Sequence, residues 1–215
     1  MKKTLYSLML DDDVVRAVDK LAHRRGCSRS ALVNQLLAES LDLMTPERRI
    51  AEVLRALESL VRPDPELVPF FAPNALSLSM KSALDYKYRP TVKYEVGFYR
   101  GSEGSIGELA VSFRTQSAEL SSAMAAFFRL WQGLEALYLA PRLGREIPGS
   151  LSEGRFTRLL APPSRSCTSE ELAEAISDYV HLFDRLLKGW LSGALDSAEV
   201  EAGYAAWATR AELYF

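Results

Sequence analysis

The chain is short of the residues that build reactive or cross-linked centres. It has two cysteines, Cys27 and Cys167, too few for a disulfide scaffold. Its two histidines, His23 on the outer side of a helical stretch and His181 within another, do not make a ligand set, so no metal and no cofactor is expected. There is no Gly-x-Ser-x-Gly nucleophile motif. The glycine-rich run at 101–107 lacks the lysine and the following helix of a phosphate loop. Carboxylates are plentiful, but none stand out as a catalytic pair, and an enzyme is not expected. No apolar run approaches the roughly 20 residues that cross a bilayer. The first residues pass from two lysines into an alternating stretch and then three aspartates, which is not a signal-peptide pattern. These absences lead to the expectation of a cytoplasmic, bacterial-type protein without a membrane partner.

What is present is ordinary for a folded protein: 48% hydrophobic and 25% charged residues over 215, enough for one small module and one further domain. Net charge is −2 overall, yet residues 1–49 carry nine Lys/Arg against seven Asp/Glu, so the first segment is +2 and the rest −4. The sign of that asymmetry suits nucleic acid at the N-terminal end. Its size does not suit tight non-specific binding, which needs several phosphate contacts.

The most informative stretch is residues 2–43. Tyr6, Leu8 and Leu10 alternate with Lys3, Leu5, Ser7 and Met9, the period-two signal of a strand. Asp11, Asp12 and Asp13 stop it and open a helix at the end where negative charge is favoured. Val15, Val18, Leu21 and Ala22 share one side of that helix, and Arg24 and Arg25 close its last turn. Gly26 is placed for a left-handed C-cap. Ser28 is the next N-cap, and Leu32, Val33, Leu36, Leu37 and Leu41 form the apolar face of a second helix. One strand and two short helices cannot bury this much apolar surface alone, and a second copy is the simplest remedy.

This segment resembles the ribbon-helix-helix DNA-binding family of the Arc, MetJ and CopG type. The resemblance rests on the alternating stretch, the acidic helix start, the turn Gly26-Cys27-Ser28-Arg29-Ser30 and the apolar register of both helices. It implies an obligate homodimer whose paired strands enter the major groove of double-stranded DNA. Carried over by position, Lys2, Lys3, Leu5, Ser7 and Met9 would face base edges and nearby backbone. Ser28, Arg29 and Ser30 would receive a phosphate at the helix N-terminus.

Thr45 and Pro46 restart a helix with Ile50, Val53, Leu54 and Leu57 on one side, expected to join two domains. Prolines at 63, 65, 69 and 73 then keep the chain irregular. Leu76, Leu78, Met80, Leu84, Tyr86 and Tyr88 alternate with polar residues. Val92, Tyr94, Val96 and Phe98 do the same, as do Leu109, Val111 and Phe113, which predicts an antiparallel meander of three strands. Ser117 caps a long helix bearing Leu120, Met124, Phe127, Trp131, Leu134 and Tyr138. Residues 140–166, rich in Pro, Gly and Arg (Arg142, Arg145, Arg155, Arg158, Arg165), are expected to be a solvated loop with at most a short element near Phe156 to Leu160. Thr168 and Glu171 form a capping box for a helix running to about Leu195. Ser197 is expected to cap the last one. Trp131, Trp190 and Trp207 read as core residues.

The expected fold is α+β and mostly helical: a ribbon-helix-helix module at 1–44, a connecting helix and linker at 45–65, and at 66–215 a domain with a three-stranded antiparallel sheet packed by several long helices. Two functions follow. One is a dimeric DNA-binding transcriptional regulator with a C-terminal effector or oligomerisation domain. The other is a non-enzymatic interaction protein. In it the first module only dimerises, the C-terminal domain meets a protein partner, and Leu5 and Met9 cover an apolar surface.

Overall fold

A computed structural model describes residues 5–70, 76–84, 90–100, 104–152 and 154–215. The chain divides into two compact units, Met1–Thr45 and Pro46–Phe215.

In the first unit, α1 (Asp12–Arg25) begins after Asp11 and carries Asp12 and Asp13 in its first turn, where the helix dipole favours them. It ends at Gly26, whose φ of 61° is the left-handed conformation that glycine adopts without a Cβ penalty. The Cys27 N–H then returns to the carbonyl of Ala22 at 3.1 Å, reversing the chain. Helix α2 (Arg29–Ser40) starts at Ser28, whose hydroxyl accepts from the N–H of Ala31 at 3.2 Å. Val18, Ala22 and Leu32 form the buried core between the two helices, with Leu21, Cys27, Val33 and Leu36 against it.

The expected ribbon-helix-helix module is not what the single chain forms. Residues 5–10 make no strand, and Leu5, Tyr6, Leu8, Met9 and Leu10 are all exposed. The alternation is genuine, but a strand exists only as a paired state, and nothing among the described residues pairs with this segment.

The second unit holds α3 (Pro46–Val61), β1 (Leu67–Pro69), β2 (Ser77–Ala83), β3 (Thr91–Phe98), β4 (Gly107–Phe113), α4 (Ala118–Leu134), α5 (Ala140–Leu143), β5 (Gly149–Ser152), β6 (Arg155–Leu160), α6 (Ser169–Leu191) and α7 (Ser197–Arg210). Between α4 and α5 lies one π-helical turn, Glu135–Leu139. The strands form a single antiparallel sheet in the order β1-β2-β3-β4-β6-β5, six strands where three were expected.

The additional strands come from stretches whose pattern was broken. β1 is three residues long and ends on Pro69, which an edge strand tolerates. The β5–β6 hairpin lies in the region expected to be a loop. Its inward residues are Phe156, Arg158 and Leu160, so a charge occupies the middle apolar position and hides the alternation.

Leu78, Met80, Val92, Tyr94, Val96, Leu109, Val111 and Phe156 project from one sheet face into a continuous core with Leu57, Phe127, Phe128, Trp131 and Phe183 of the helices. Phe128 stacks on Phe156 at 5.1 Å, and Phe183 meets Tyr94 edge-on at 6.0 Å. The other face carries Lys81, Lys93, Glu95, Glu108 and Arg155, exposed or half-buried.

Helix α3, read from the sequence as a connector, packs along α6 and contributes Val53, Leu54, Leu57 and Val61 to this core. The capping box at Thr168 and Glu171 and the cap at Ser117 form as expected. Helix α7 is capped by Asp196, with Glu199 completing the box, one residue before the expected Ser197. Helix α6 stops at Leu191 rather than near Leu195, and Gly193 follows at a φ of 74°. Trp131 and Trp207 are buried and Trp190 half-buried. Of the alternating residues expected in the first strand, Tyr86 and Tyr88 fall outside the described residues. No helix among the described residues is long and apolar enough to cross a membrane.

Candidate functional site

Two places in the molecule have the makings of a site. The first is the N-terminal unit. Leu5 and Met9 are 96% and 101% exposed, and Ser7 lies between them on the same segment, also exposed. Lys2 and Lys3 lie outside the described residues. Ser28 is committed to capping α2. Arg29 does not reach outward: Nε and a terminal nitrogen hold both carboxylate oxygens of Asp19 on α1, at 2.5 and 2.6 Å. This fork-on-fork pair fixes the angle at which α2 leaves the turn. The N–H groups at the first positions of α2 are among those a helix cannot satisfy internally, and Ser30 beside them is exposed. Arg24 and Arg25 are exposed at the end of α1. The surface thus combines open amides, cations and a run of apolar side chains.

The second place is on the larger unit, in two layers. On the surface, a groove of about 920 Å³ runs between α6, the residues after α7 and the turn at Asp64 and Glu66. Ion pairs stitch its wall. Lys188 reaches Asp184 at 2.7 Å and Glu66 at 2.6 Å. His181 presents Nε2 to Asp64 at 2.8 Å and Nδ1 to the carbonyl of Ser177 at 2.7 Å. Ser177, His181 and Asp64 are the residue types of a hydrolytic triad, but the Ser177 hydroxyl is buried and its partner nitrogen already faces a carbonyl. That arrangement does not activate Ser177 as a nucleophile.

Burial alone would raise the Asp64 carboxyl. The main-chain N–H groups of Glu66 and Leu67 and the charge of His181 outweigh it and hold the carboxyl below the usual aspartate range. Burial would likewise lower Lys188, but its two carboxylates keep the ammonium above its ordinary value. Behind the wall, Tyr94 donates to Asp184 at 2.9 Å. Burial first, and the facing carboxylate second, push its phenol well above the tyrosine range.

The deeper layer centres on Arg158, which solvent does not reach. Its Nε donates to Glu135 at 2.7 Å, and one terminal nitrogen donates to the main-chain oxygen of Phe215. Its carbon lies over the rings of Tyr179 and Phe215, at 4.7 and 5.0 Å. Glu135 opens the π-helical turn and also accepts from the Tyr179 hydroxyl at 2.5 Å, which in turn accepts from the Trp131 indole at 2.7 Å. Burial works against the guanidinium charge, but Glu135 and the neighbouring phenols overcome it, so the arginine stays protonated. Two donors in this layer, Arg158 Nη1 and the Tyr204 hydroxyl, have no partner among the described residues.

Sequence reasoning did not find either layer. His181 and Asp64 sit on elements far apart in the chain, and Arg158 was read as one of several loop cations. The only local sign was Arg158 itself, in register between Phe156 and Leu160. Among the described residues no His, Cys, Asp and Glu group could hold a metal ion. Compared with known proteins, the chain matches no protein-family model, no curated protein and no solved structure.

Proposed function

We propose that this chain is a DNA-binding transcriptional regulator that works as a homodimer, the first unit meeting DNA and the second sensing an effector or adding to the assembly. One observation carries the reading. Among its described residues, a unit of 45 residues keeps a buried core of only Val18, Ala22 and Leu32, with Ala38 buried outside it. Meanwhile Leu8, Leu10, Val14, Leu37, Leu41, Leu43 and Met44 stay exposed. A domain this small with so little core is not expected to be stable unpartnered, and a self-complementary apolar surface is the usual basis of a two-fold dimer. The surplus of cations in residues 1–49 and the open amides at the start of α2 support DNA as the further partner. In this reading Leu5, Ser7, Met9 and the basic Lys2 and Lys3 reach the duplex, and the main-chain N–H groups at Ser28 and Arg29, with Ser30 beside them, receive a phosphate, while the Ser28 hydroxyl and the Arg29 fork keep the turn in shape.

Fluorescence anisotropy with genomic duplex fragments across a salt series tests it. Binding that weakens steeply with salt, and weakens further in Lys3→Ala and Arg29→Ala, is the expected result. No binding, or binding indifferent to salt, removes the reading.

A second reading is favoured by the exposure of Leu5 and Met9, which cannot hydrogen-bond to base edges. There the first unit dimerises and covers another protein. A co-purifying partner lost in Leu5→Lys but retained in Arg29→Ala would select it.

A further inference from the structure

We infer that His181 is a proton-dependent clamp: charged, it holds the turn at Asp64 against α6, and neutral, it holds that turn less firmly. The turn depends on side chains for its attachment. Asp64 stands between Pro63 and Pro65, which offer no main-chain N–H. Two carboxylates tie the turn to α6, Asp64 to His181 at 2.8 Å and Glu66 to Lys188 at 2.6 Å. The Glu66 side chain is 68% exposed, so water screens the second tie, whereas Asp64 at 24% and His181 at 35% are better shielded. The first tie is the stronger of the two, and it is the one that a proton changes. Because the turn forms one wall of the surface groove, that proton sets how firmly the wall is held.

The imidazole lies between two acceptors. Nδ1 is 2.7 Å from the carbonyl oxygen of Ser177, and Nε2 faces the Asp64 carboxylate. An imidazolium carries an N–H on each nitrogen and satisfies both, whereas a neutral ring carries one. Loss of the proton therefore leaves one acceptor unserved. It also reduces the ion pair to at most a hydrogen bond from an uncharged donor, which is roughly half as strong. Asp64 divides its work by oxygen: Oδ1 accepts the Glu66 N–H at 2.7 Å, and Oδ2 faces the histidine.

Other charges border the ring. On α6 it shares the groove with Glu174, Asp178, Asp184, Arg185 and Lys188, and the turn adds Glu66. Arg210 at the end of α7 and Glu212 beyond it face the same groove. Arg62, just after α3, is taken by Glu58, and Lys188 by Asp184 and Glu66. Among the described residues only Asp64 lies within ion-pair distance of the ring. Burial would raise the Asp64 carboxyl, but the Glu66 and Leu67 N–H groups and the His181 charge hold it below the ordinary 3.8, so it stays ionised while a histidine titrates. The clamp is thus tightest on the acid side of the histidine range and weakens as the pH rises through it. It is lost again only as the pH falls through the depressed Asp64 value.

Amide hydrogen exchange on the full chain, without DNA and so independent of what the first unit binds, tests this at about pH 5.5 and about pH 8.5, either side of the histidine range. Protection is read at Glu66 and Leu67, whose amides sit on Asp64, and the native chain is expected to lose about fivefold between the two. His23→Gln, which changes the other histidine, exposed on α1, should lose the same. His181→Gln should show no difference between the two. Asp64→Asn should reverse the sign. Its Oδ1 keeps the Glu66 N–H, and its amide N–H then points at Nε2, which accepts only when the ring is neutral.

Equal native protection at the two pH values overturns the inference. So does a loss that persists in His181→Gln, or the absence of a reversed sign in Asp64→Asn. If these variants lack native far-ultraviolet circular dichroism, the native chain decides through the nitrogen-15 shifts of its imidazoles. A His181 ring with both nitrogens protonated at the lower pH and one at the higher supports the clamp. A ring neutral at the lower pH, or doubly protonated at the higher, overturns it.

Discussion

Arg158 on β6 and Glu135 at the start of the π-helical turn form an ion pair of 2.7 Å in which neither side chain is more than 4% exposed. The pair fastens the sheet to the end of α4, and it is one link in a chain that continues through Tyr179 to Trp131. A buried charge without its partner is costly, whereas replacing both members by apolar groups is close to neutral.

Arg158→Met should therefore destabilise the larger unit by about 3–5 kcal/mol, and the double variant Arg158→Met with Glu135→Leu should recover most of that loss. Urea unfolding followed by tryptophan fluorescence measures this cleanly, because Trp131, Trp190 and Trp207 all belong to that unit. Equal losses in the single and double variants would show that packing volume, not the pair, is responsible.

Alkaline pH should unfold the same unit. Burial, followed by the carboxylates of Asp184 and Glu135, holds the phenols of Tyr94 and Tyr179 well above the ordinary tyrosine value of 10.0, and Tyr204 is raised the same way. A phenol that ionises more easily in the unfolded chain contributes stability below about pH 10, and loses it as the pH rises further. Lys188, also raised, adds a loss of the same sign. Tyrosinate absorbance should then rise in one step together with unfolding. The exposed Tyr99, raised to about 12 by partial desolvation and by its hydrogen bond to Glu108, titrates near that value if the fold survives to it. Gradual ionisation of all tyrosines from pH 10 without unfolding would contradict this.

Two glycines should respond differently to alanine. A Cβ at Gly107 would stand 2.1 Å from the carbonyl oxygen of Gly97, so Gly107→Ala must push β3 and β4 apart where Phe98 pairs with it. A loss of about 1–3 kcal/mol is expected. At Gly26 nothing lies within 4 Å, but φ is +61°, so the loss in Gly26→Ala comes from backbone strain alone, about 1–2 kcal/mol. Gly26→Asn should be milder, since asparagine tolerates this conformation. Thermal melts of the four proteins check the ordering.

If the first unit is completed by a second copy, Leu8→Lys should shift the chain toward monomer in sedimentation velocity while leaving the second unit's near-ultraviolet spectrum unchanged. Concentration-independent monomer in the native protein would remove the dimer from the proposed function.

Much of the helical framework is legible in the sequence. Gly26, Ser28, Ser117 and Thr168 mark helix ends through bonds that span three to five residues, and those bonds form. The three central strands were legible for the same reason: alternation is read within one element, and the inward Val92, Tyr94 and Val96 are fully buried. The outer strands were not. β6 falls where a short element was expected near Phe156 to Leu160 but carries Arg158 at an inward position, which hides its alternation, and β5 pairs along its length but exposes most of its side chains. The three aspartates after residue 10 do open a helix, but the strand expected before them is not formed by this chain.

The sequence by itself determined where helices begin and end, which residues alternate, and which faces are apolar, because these depend on neighbours a few positions away. Tertiary structure alone decided that Arg158 meets Glu135 and Phe215, partners 23 and 57 positions distant, and that Asp64 faces His181. It also decided that residues 5–10 stay unpaired. The physical reason is common to all of these. A strand, an ion pair and a buried charge are each defined by a partner, and a partner is a property of how the whole chain is packed.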